Sequence, residues 1–341
     1  MKTLLSHAPR LGLAFGVALA AGLLAGCEVP PQKSEQSGYR GTGMAQITSP
    51  ETLEKIAAAN GIPEAQPDAD DGGPRAKEAY QNVQVLGHLS EGQFLRVMTA
   101  ITEWVSPEQG CAYCHNVENL ADDSLYTKKV SRRMLQMTQA INTQWTSHVA
   151  QTGVTCYTCH RGQPVPANIW FSDKGAQTAG FAADPSGQNA PAKSVAYSSL
   201  PRDPFTSLLM GKGQIRVNGV EALAGKPGEP IQSAESTYAL MMHMSTGLGV
   251  NCTFCHNSRA FSDWAQSPPQ RVTAWHGIQM VRGLNNDYLE PLRTTYPAER
   301  LGPEGDAPKA YCSTCHAGVN KPLGGVSMLK DYLKELSPPK P

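Results

Sequence analysis

Four copies of one five-residue pattern, C-x-x-C-H, constrain this chain more than any other feature. The copies read CAYCH at 111–115, CYTCH at 156–160, CTFCH at 252–256 and CSTCH at 312–316. They contain eight of the nine cysteines in the 341 residues, so that Cys27 alone lies outside a pentad. Any fold must therefore bring two thiols and one imidazole together at four places.

Paired cysteines build zinc sites, thiol redox centres and c-type haem sites. Zinc and thiol chemistry do not require a histidine directly after the second cysteine in every copy. A c-type haem does, because both thiols bond to the porphyrin and the next histidine is placed to bind its iron. The pattern therefore predicts four covalently bound haem c groups and leaves no pentad cysteine for a disulfide. The predicted attachment residues are Cys111, Cys114, Cys156, Cys159, Cys252, Cys255, Cys312 and Cys315, and the predicted proximal ligands are His115, His160, His256 and His316.

The composition is typical of a helical protein with many loops. There are 32 glycines and 26 prolines, and 17% of the residues are charged. The formal net charge is zero, which argues against nucleic acid as a partner, because nucleic-acid-binding proteins normally carry a basic excess. Four porphyrins would supply much of the apolar interior. We therefore expect a mainly α fold with extensive loops, in which side chains pack against cofactors.

The N-terminus has the pattern of an export signal. Lys2 and Arg10 form a positively charged region before an apolar run of 16 residues. This run is short for a membrane-spanning helix of about 20 residues and typical of a secretory signal. The sequence LAGC at 24–27 resembles a bacterial lipobox, whose cysteine is acylated and becomes the new N-terminus. An ordinary signal peptide and an uncleaved anchor are the alternatives. We expect a signal peptide over 1–26 and a lipid anchor at Cys27 that carries more than one acyl chain.

The pentads alternate between two types. Asn116 and Asn257 directly follow the first and third pentads, whereas Gly162 and Gly318 stand two residues after the histidines of the second and fourth. The order A, B, A, B predicts a dihaem unit that has been duplicated. The predicted divisions are 27–80 for an extended N-terminal segment, either a tether or a surface wrap, 81–166 for the first dihaem module, 167–230 for a linker, 231–325 for the second module and 326–341 for a C-terminal tail.

A haem iron needs a sixth ligand or keeps an open site, and this choice separates electron carriers from enzymes. The helices predicted before the first three pentads all carry methionine. Met98 lies 17 residues before the first pentad's histidine, Met134 lies 26 before the second, and Met241 lies 15 before the third. The alternatives that the pattern leaves open are Met137 for the second haem and Met242, His243 and Met244 for the third.

The fourth module has no methionine in register. Alignment of QAINTQW with GLNNDYL puts Gly277 or Ile278 at the position of Met134. His148 lies close before the second pentad and is free to cross to the fourth haem, whose iron would then have two histidine ligands and a lower potential than a His/Met pair gives. The rivals for this position are His276 and Met280, and His88 reads as an ordinary histidine.

With these features, the sequence resembles the tetrahaem cytochrome subunit of purple-bacterial photosynthetic reaction centres. The resemblance covers most of the mature chain and rests on the lipobox, the four pentads and the spacings of 17, 26 and 15 residues. In that family three haems have His/Met ligands and the fourth has His/His, with the additional histidine twelve residues before that of the second pentad. His148 stands twelve residues before His160. The resemblance therefore favours Met98, Met134, Met241 and His148 as the distal ligands.

The resemblance also implies a function, a location and partners. In the family, the haems form a near-linear row on the periplasmic face of the inner photosynthetic membrane, where a soluble cytochrome c or high-potential iron–sulfur protein reduces the outer end. The inner end, near the third haem, re-reduces the photo-oxidised bacteriochlorophyll special pair on the L and M subunits. We therefore expect a lipid-anchored electron-transfer subunit and not an enzyme. A relay for a different membrane complex and a multihaem oxidoreductase with an open iron are the alternatives.

Charged residues near the pentads have two interpretations. Arg161 and Arg259 are candidates to pair with haem propionates, and acidic residues around the first pentad are candidates to steer a basic donor. An ordinary solvated surface is the alternative for both sets. The acidic residues concerned are Glu103, Glu108, Glu118, Asp122 and Asp123.

Overall fold

The computed structural model describes residues 31–175, 192–216 and 231–338, with the backbone alone at 231 and 232. The predicted signal segment 1–26 and the lipidation site Cys27 lie outside the described residues, as do parts of the predicted linker. The strands are β1 (Lys33–Ser37) and β2 (Met44–Thr48), and the α-helices are α1 (Pro50–Ala59), α2 (Ala76–Ala79), α3 (Glu91–Val105), α4 (Tyr126–Gln144), α5 (Thr146–Val149), α6 (Cys156–His160), α7 (Ile231–Leu248), α8 (Gln270–Gly283), α9 (Cys312–His316) and α10 (Leu333–Leu336).

This arrangement confirms the prediction of a mainly α fold with extensive loops. The two strands pair in antiparallel fashion as a hairpin, and they form the sheet of the described residues. The long helices are joined by short 3-10 turns and irregular segments. No helix within the described ranges is both long enough and apolar enough to cross a lipid bilayer.

Helix α3 illustrates how the sequence specifies the helices that carry the candidate methionines. Ser90 caps its N-terminus, and the Gln93 side chain reaches back to the Ser90 backbone N–H, which makes a reciprocal capping box. Val97 and Trp104 are completely buried on one face of the helix. Trp104 meets Tyr332 edge to face, with ring centres 4.7 Å apart. Helix α3 is therefore fixed in the core at both ends.

The segment predicted as a C-terminal tail packs into the same core as α3. Met328, Leu329, Tyr332 and Leu336 all belong to the hydrophobic cluster that contains Trp104. The C-terminal segment of the described chain therefore packs against the first half of the protein.

A buried ion pair also joins the C-terminal segment to α3. Arg96 of α3 and Glu335 of α10 have side chains only 5% and 6% exposed, and they are joined at 2.6 Å. The Arg96 guanidinium also donates to the backbone carbonyls of Gln66, at 2.9 Å, and Asp331, at 2.7 Å. One side chain thus links the N-terminal segment, α3 and the C-terminal segment.

Residues 31–75, hereafter the strap, wrap across the pentads. The hairpin docks on the third pentad, where Thr253 receives a hydrogen bond from the Met44 N–H at 2.9 Å and donates one to the Ser37 carbonyl at 2.8 Å. Beyond α1, Asn60 donates to the carbonyl of Ala317, next to the fourth pentad, at 3.4 Å. Of the two alternatives for the N-terminal segment, the described part takes the surface wrap.

The strap then continues toward the second pentad and α3. The Tyr157 hydroxyl of the second pentad donates to the Gly61 carbonyl at 2.9 Å. The Gln66 side chain donates to Glu103 of α3 at 3.0 Å. The strap therefore meets the third, fourth and second pentads and then α3, in that order along its length.

Candidate functional site

The first and third pentads share one backbone conformation. In each, the N–H of the histidine donates to the carbonyl of the first cysteine, at 2.9 Å for His115 and 3.0 Å for His256. The asparagine that follows then turns the chain, because the side-chain oxygens of Asn116 and Asn257 accept from the backbone two residues later, at 3.1 and 2.9 Å. The same residue type at the same place therefore builds the same turn twice.

The second and fourth pentads share a different conformation, the short helices α6 and α9. In both, a threonine inside the pentad accepts a hydrogen bond from the backbone N–H of the residue that precedes the pentad. The donors are Thr155 for Thr158 and Tyr311 for Thr314, both at 3.0 Å. Both helices end in the left-handed region, with φ of 49° at Arg161 and 46° at Ala317. A glycine at positive φ follows in each case, as expected for such helix ends.

These two glycines make equivalent contacts with the methionine-bearing helices. The Gly162 N–H donates to the Trp104 carbonyl of α3, and the Gly318 N–H donates to the Gly247 carbonyl of α7, both at 2.8 Å. Each accepting carbonyl lies six residues after a candidate methionine, Met98 or Met241. Each half of the chain therefore packs its second pentad on the helix that precedes its first.

All four pentad histidines use their Nδ1 atoms in the same way. In each ring Nδ1 lies close to a backbone carbonyl, which can only accept, so Nδ1 carries the proton. Nε2 is then left with its lone pair, the form of imidazole that binds metal. The accepting carbonyls belong to Leu120 for His115 (3.2 Å), Gln163 for His160 (2.9 Å), Phe261 for His256 (2.9 Å) and Val319 for His316 (2.9 Å).

His148 is oriented in the same way, but by a residue of the other half of the chain. Its Nδ1 donates to the Thr273 carbonyl of α8 at 3.0 Å. Its ring centre lies 6.0 Å from that of His316, with an angle of 62° between the ring planes. Two imidazoles on opposite sides of one metal ion, at about 2.0 Å per bond, would have ring centres roughly 6 Å apart. The two rings are therefore spaced as two ligands of one iron would be.

Burial lowers the pKa of His148, His160, His256 and His316 and so favours their neutral form. It lowers the pKa of His316 to about 4, with smaller contributions from His148 and Arg161. Burial is also the main cause that lowers the pKa of His148, His160 and His256. Because only the neutral ring has a free lone pair, these environments favour the metal-binding form.

Two of the candidate methionines share a local arrangement. The carbonyls of Met98 and Met134 each accept a hydrogen bond, at 2.9 Å, from a threonine one turn later, Thr102 and Thr138. The Thr102 hydroxyl lies 4.0 Å from the Sγ of Cys111, and Thr138 hydrogen-bonds the Cys156 thiol. In both helices, therefore, a threonine contacts the first cysteine of the pentad that follows, and the candidate methionine lies one turn before that threonine. Helical periodicity places Thr138 on the face of Met134 but assigns neither threonine a role, although the four-residue spacing from each methionine is visible in the sequence.

The candidate methionines and their methionine rivals differ only in part in their burial. Met98, Met134, Met241 and Met137 are all half-buried, and Met137 packs against the hydrophobic cluster that contains Ile141 and Leu284. Met280 is buried in that cluster, and Met244 is buried in another.

His243 is only 4% exposed and stacks on the Tyr311 ring at 4.3 Å, and burial lowers its pKa to about 4. Among the remaining rivals, Met242 and His276 are half-buried. Met244, Met280 and His243 are thus buried in the interior, whereas burial does not separate Met137 from Met134.

The second and fourth pentads touch each other through their second cysteines. Cys159 and Cys315 are bonded as a disulfide, with their Cα atoms 4.5 Å apart. This differs from the expectation that no pentad cysteine is left for a disulfide. The reason is that α6 packs against α9 and brings the two sulfur atoms together. Either sulfur, once bonded to a haem, would no longer be able to form this bond, and the contact shows that the second and fourth pentads lie side by side.

Arg161 bridges the same two pentads. Its guanidinium donates to the Cys315 carbonyl at 2.8 Å and to the Asn60 side chain at 3.3 Å. Its Nε–H is buried and finds no acceptor among the described residues. A buried donor without an acceptor fits a carboxylate of a bound haem. Arg259 is exposed.

Two of the five acidic residues are engaged in local structure. Asp123 pairs with Arg132 at 2.7 Å and with Lys128 at 3.2 Å, and Arg132 is the main cause that holds the Asp123 pKa well below its usual range. Asp122 accepts from the hydroxyl and backbone N–H of Ser124. The charge of Asp123 is therefore partly neutralised by its two cationic neighbours, whereas Asp122 keeps its charge in a local turn.

Comparison with known proteins gives a consistent result. Residues 28–336 match the family model described as photosynthetic reaction centre cytochrome C subunit. The chain is 57% identical over 315 residues to the photosynthetic reaction center cytochrome c subunit of Rubrivivax gelatinosus, which covers 92% of this chain and 86% of that protein. It is 50% identical over 329 residues to the subunit of the same name from Thermochromatium tepidum, which covers 96% of this chain and 81% of that protein. A more distant relative is cytochrome c-554 of Chloroflexus aurantiacus, 25% identical over 300 residues, or 72% of this chain and 70% of that protein.

Proposed function

The chain belongs to the family of photosynthetic reaction centre cytochrome c subunits, and we propose that it holds four haem c groups and carries electrons from a soluble periplasmic donor to the special pair. Membership of this family makes the protein an electron-transfer subunit with covalent haem, an electron donor to the special pair and not an enzyme. Bound haem supplies reversible one-electron transfer at iron.

One observation supports the number four above all others. Each of the four pentad histidines has its Nδ1 proton on a backbone carbonyl and its Nε2 lone pair unused, as an axial haem ligand requires. We therefore assign one haem to each pentad, attached through its two cysteines. The matched contacts of Gly162 and Gly318 support the proposal that two similar dihaem modules make up the chain.

The distal ligands are proposed from the family resemblance, with support from the position of His148 for the fourth. We assign Met98, Met134 and Met241 to the first three haems and His148 to the fourth. The 6.0 Å spacing of the His148 and His316 rings supports the last assignment. Since a second histidine gives a lower potential than methionine does, the fourth haem should have a lower potential than a His/Met site in the same protein.

The path of the strap supports an order of the four sites in space. It meets the third, the fourth and the second pentad in turn and then α3, the helix that carries the proposed ligand of the first haem. Contact between Cys159 and Cys315 makes the second and fourth sites neighbours. We therefore propose the spatial order third, fourth, second, first.

This order gives the row an inner and an outer end. Cys27, the proposed lipid attachment point, precedes β1 by six residues, and β1 belongs to the hairpin that docks on the third pentad. A lipid there would hold the third site near the membrane and the L and M subunits. The first site then faces the periplasm, where a soluble cytochrome c or high-potential iron–sulfur protein would donate.

A flash experiment tests this function. Membranes that contain the protein are excited by a short flash while the haem α-band and the special-pair absorption are followed. We expect haem oxidation and special-pair re-reduction with the same time course. Absence of any light-induced haem change in membranes that hold both components would instead favour a relay for a different membrane complex.

Replacement of the proposed crossing ligand gives a second test. His148→Met should raise the potential of one haem, because methionine favours the reduced iron more than histidine does. A hundredfold change in the reduction equilibrium corresponds to about 120 mV for one electron, and we expect a shift of this order in a redox titration. An unchanged titration would identify His276 or Met280 as the ligand instead.

A further inference from the structure

We propose that Gly277 is the residue that allows His148 to reach the fourth haem, because the absent side chain at this point of α8 is the space that the His148 ring fills. The inference rests on the proposed assignment of His148 as an iron ligand, and it explains how a ligand from the first half of the chain serves a haem of the second. Gly277 acts through His148 and is therefore a positioning residue.

The contact between the two residues leaves no room for a side chain. A Cβ atom built on Gly277 would lie 2.6 Å from Cε1 of His148, 2.9 Å from Nδ1 and 3.1 Å from Nε2. The first two distances are shorter than real Cβ contacts, so even alanine would force the ring to move. The ring cannot move along the helix without breaking the hydrogen bond from Nδ1 to the Thr273 carbonyl, one turn earlier in α8.

The glycine is otherwise unfavourable where it stands. Gly277 is buried in the interior of α8, well away from either end, where glycine costs about 1 kcal/mol relative to alanine. Its φ is not in the left-handed region, so the backbone does not require glycine. The close approach of His148 is therefore the feature that explains the missing side chain.

The sequence register adds a second observation. Alignment of the two halves puts Gly277 or its neighbour Ile278 at the position of Met134. In the first half this position provides the proposed ligand from the helix itself. In the second half the same part of the helix carries glycine and admits a ligand from α5, which packs on α8. One position would thus decide between a methionine from the same helix and a histidine from elsewhere.

The test is Gly277→Ala in the full-length haem-loaded protein, with Gly92→Ala as a matched control. Gly92 lies in α3, where a Cβ would meet nothing closer than 3.6 Å. We expect Gly277→Ala to remove the low-spin bis-histidine signal from the electron paramagnetic resonance spectrum. It should also shift the reduction equilibrium of that haem at least tenfold toward the reduced form, which raises its potential by at least about 59 mV for one electron. Gly92→Ala should change neither quantity.

The outcomes separate this inference from the ligand assignment. If the wild type shows no bis-histidine haem, or if His148→Ala retains that signal, the assignment of His148 is wrong. The role of Gly277 is wrong if three results occur together: the wild type has the signal, His148→Ala loses it, and Gly277→Ala keeps it with an unchanged haem potential.

A double variant covers the case in which Gly277→Ala fails to accumulate. Removal of the His148 ring vacates the space, so Gly277→Ala added to His148→Ala should restore accumulation to the level of His148→Ala alone. Equal loss of protein in the double variant would overturn the inference, because the alanine would then clash with something other than His148.

Discussion

A chain that carries Cys252→Ala and Cys255→Ala is expected to lose electron donation to the special pair completely, while it keeps three of the four proposed haems. In the proposed assignment these cysteines attach the haem of the third pentad, which lies at the end of the proposed row where the strap begins. Haem content is measured by the pyridine haemochrome spectrum, and donation is measured by special-pair re-reduction after a flash. The content should fall by a quarter, and the fast re-reduction should disappear.

The matched control removes the haem at the other end of the row. Cys111→Ala with Cys114→Ala should cause the same loss of haem, but re-reduction after a single flash should remain, because the inner end is intact. What should slow is the reduction of the remaining haems by a soluble donor. Loss of first-flash re-reduction in the control and its survival in the Cys252 and Cys255 variant would reverse the proposed orientation.

Substitution of Arg96 by methionine should cause the largest loss of stability. The change leaves Glu335 as a buried charge without its partner and removes the donor for the Gln66 and Asp331 carbonyls. Loss of one member of a buried ion pair costs about 3–5 kcal/mol in the free energy of unfolding. Urea-induced unfolding of the haem-loaded protein, followed by far-ultraviolet circular dichroism, measures the shift in midpoint.

Arg75→Met provides the control for this prediction. Arg75 pairs with Asp71 at 2.8 Å, but the two side chains are 40% and 58% exposed. Pairs of this kind contribute roughly 0–1 kcal/mol. If both variants shifted the urea midpoint equally, burial of the Arg96 pair would not be the source of its stabilising effect.

The sequence predicts four haem sites directly because the chemistry of attachment is local. Two thiols and an imidazole must stand within five residues of one another, so the pentads can be read directly, and so can the Asn116 and Gly162 turns that follow them. Helical periodicity is less informative. Met134 and Met137 lie one turn apart on adjacent faces and are both half-buried, so neither periodicity nor burial chooses between them.

Features that depend on distant partners were not predictable from local pattern. The contact between His148 and Thr273 joins residues 125 apart, and pattern alone could offer His148 only as one of several ligands. The path of the strap was likewise undetermined, because its glycines, prolines and acidic residues carry no periodicity and its hydrogen-bond partners lie elsewhere. Family resemblance supplied the ligand choice that local pattern left open.

The strap has a consequence for the biogenesis of the protein. It is synthesised before the segments that it contacts, because its hydrogen bonds join Gly61 to Tyr157, Met44 to Thr253 and Gln66 to Tyr332, over separations of 96, 209 and 266 residues. Because contacts so distant in sequence form late, we expect the strap to reach its final position after the rest of the described fold. Its closure over the pentads would mark a finished subunit, so that protection of residues 31–75 from protease reports the completion of assembly.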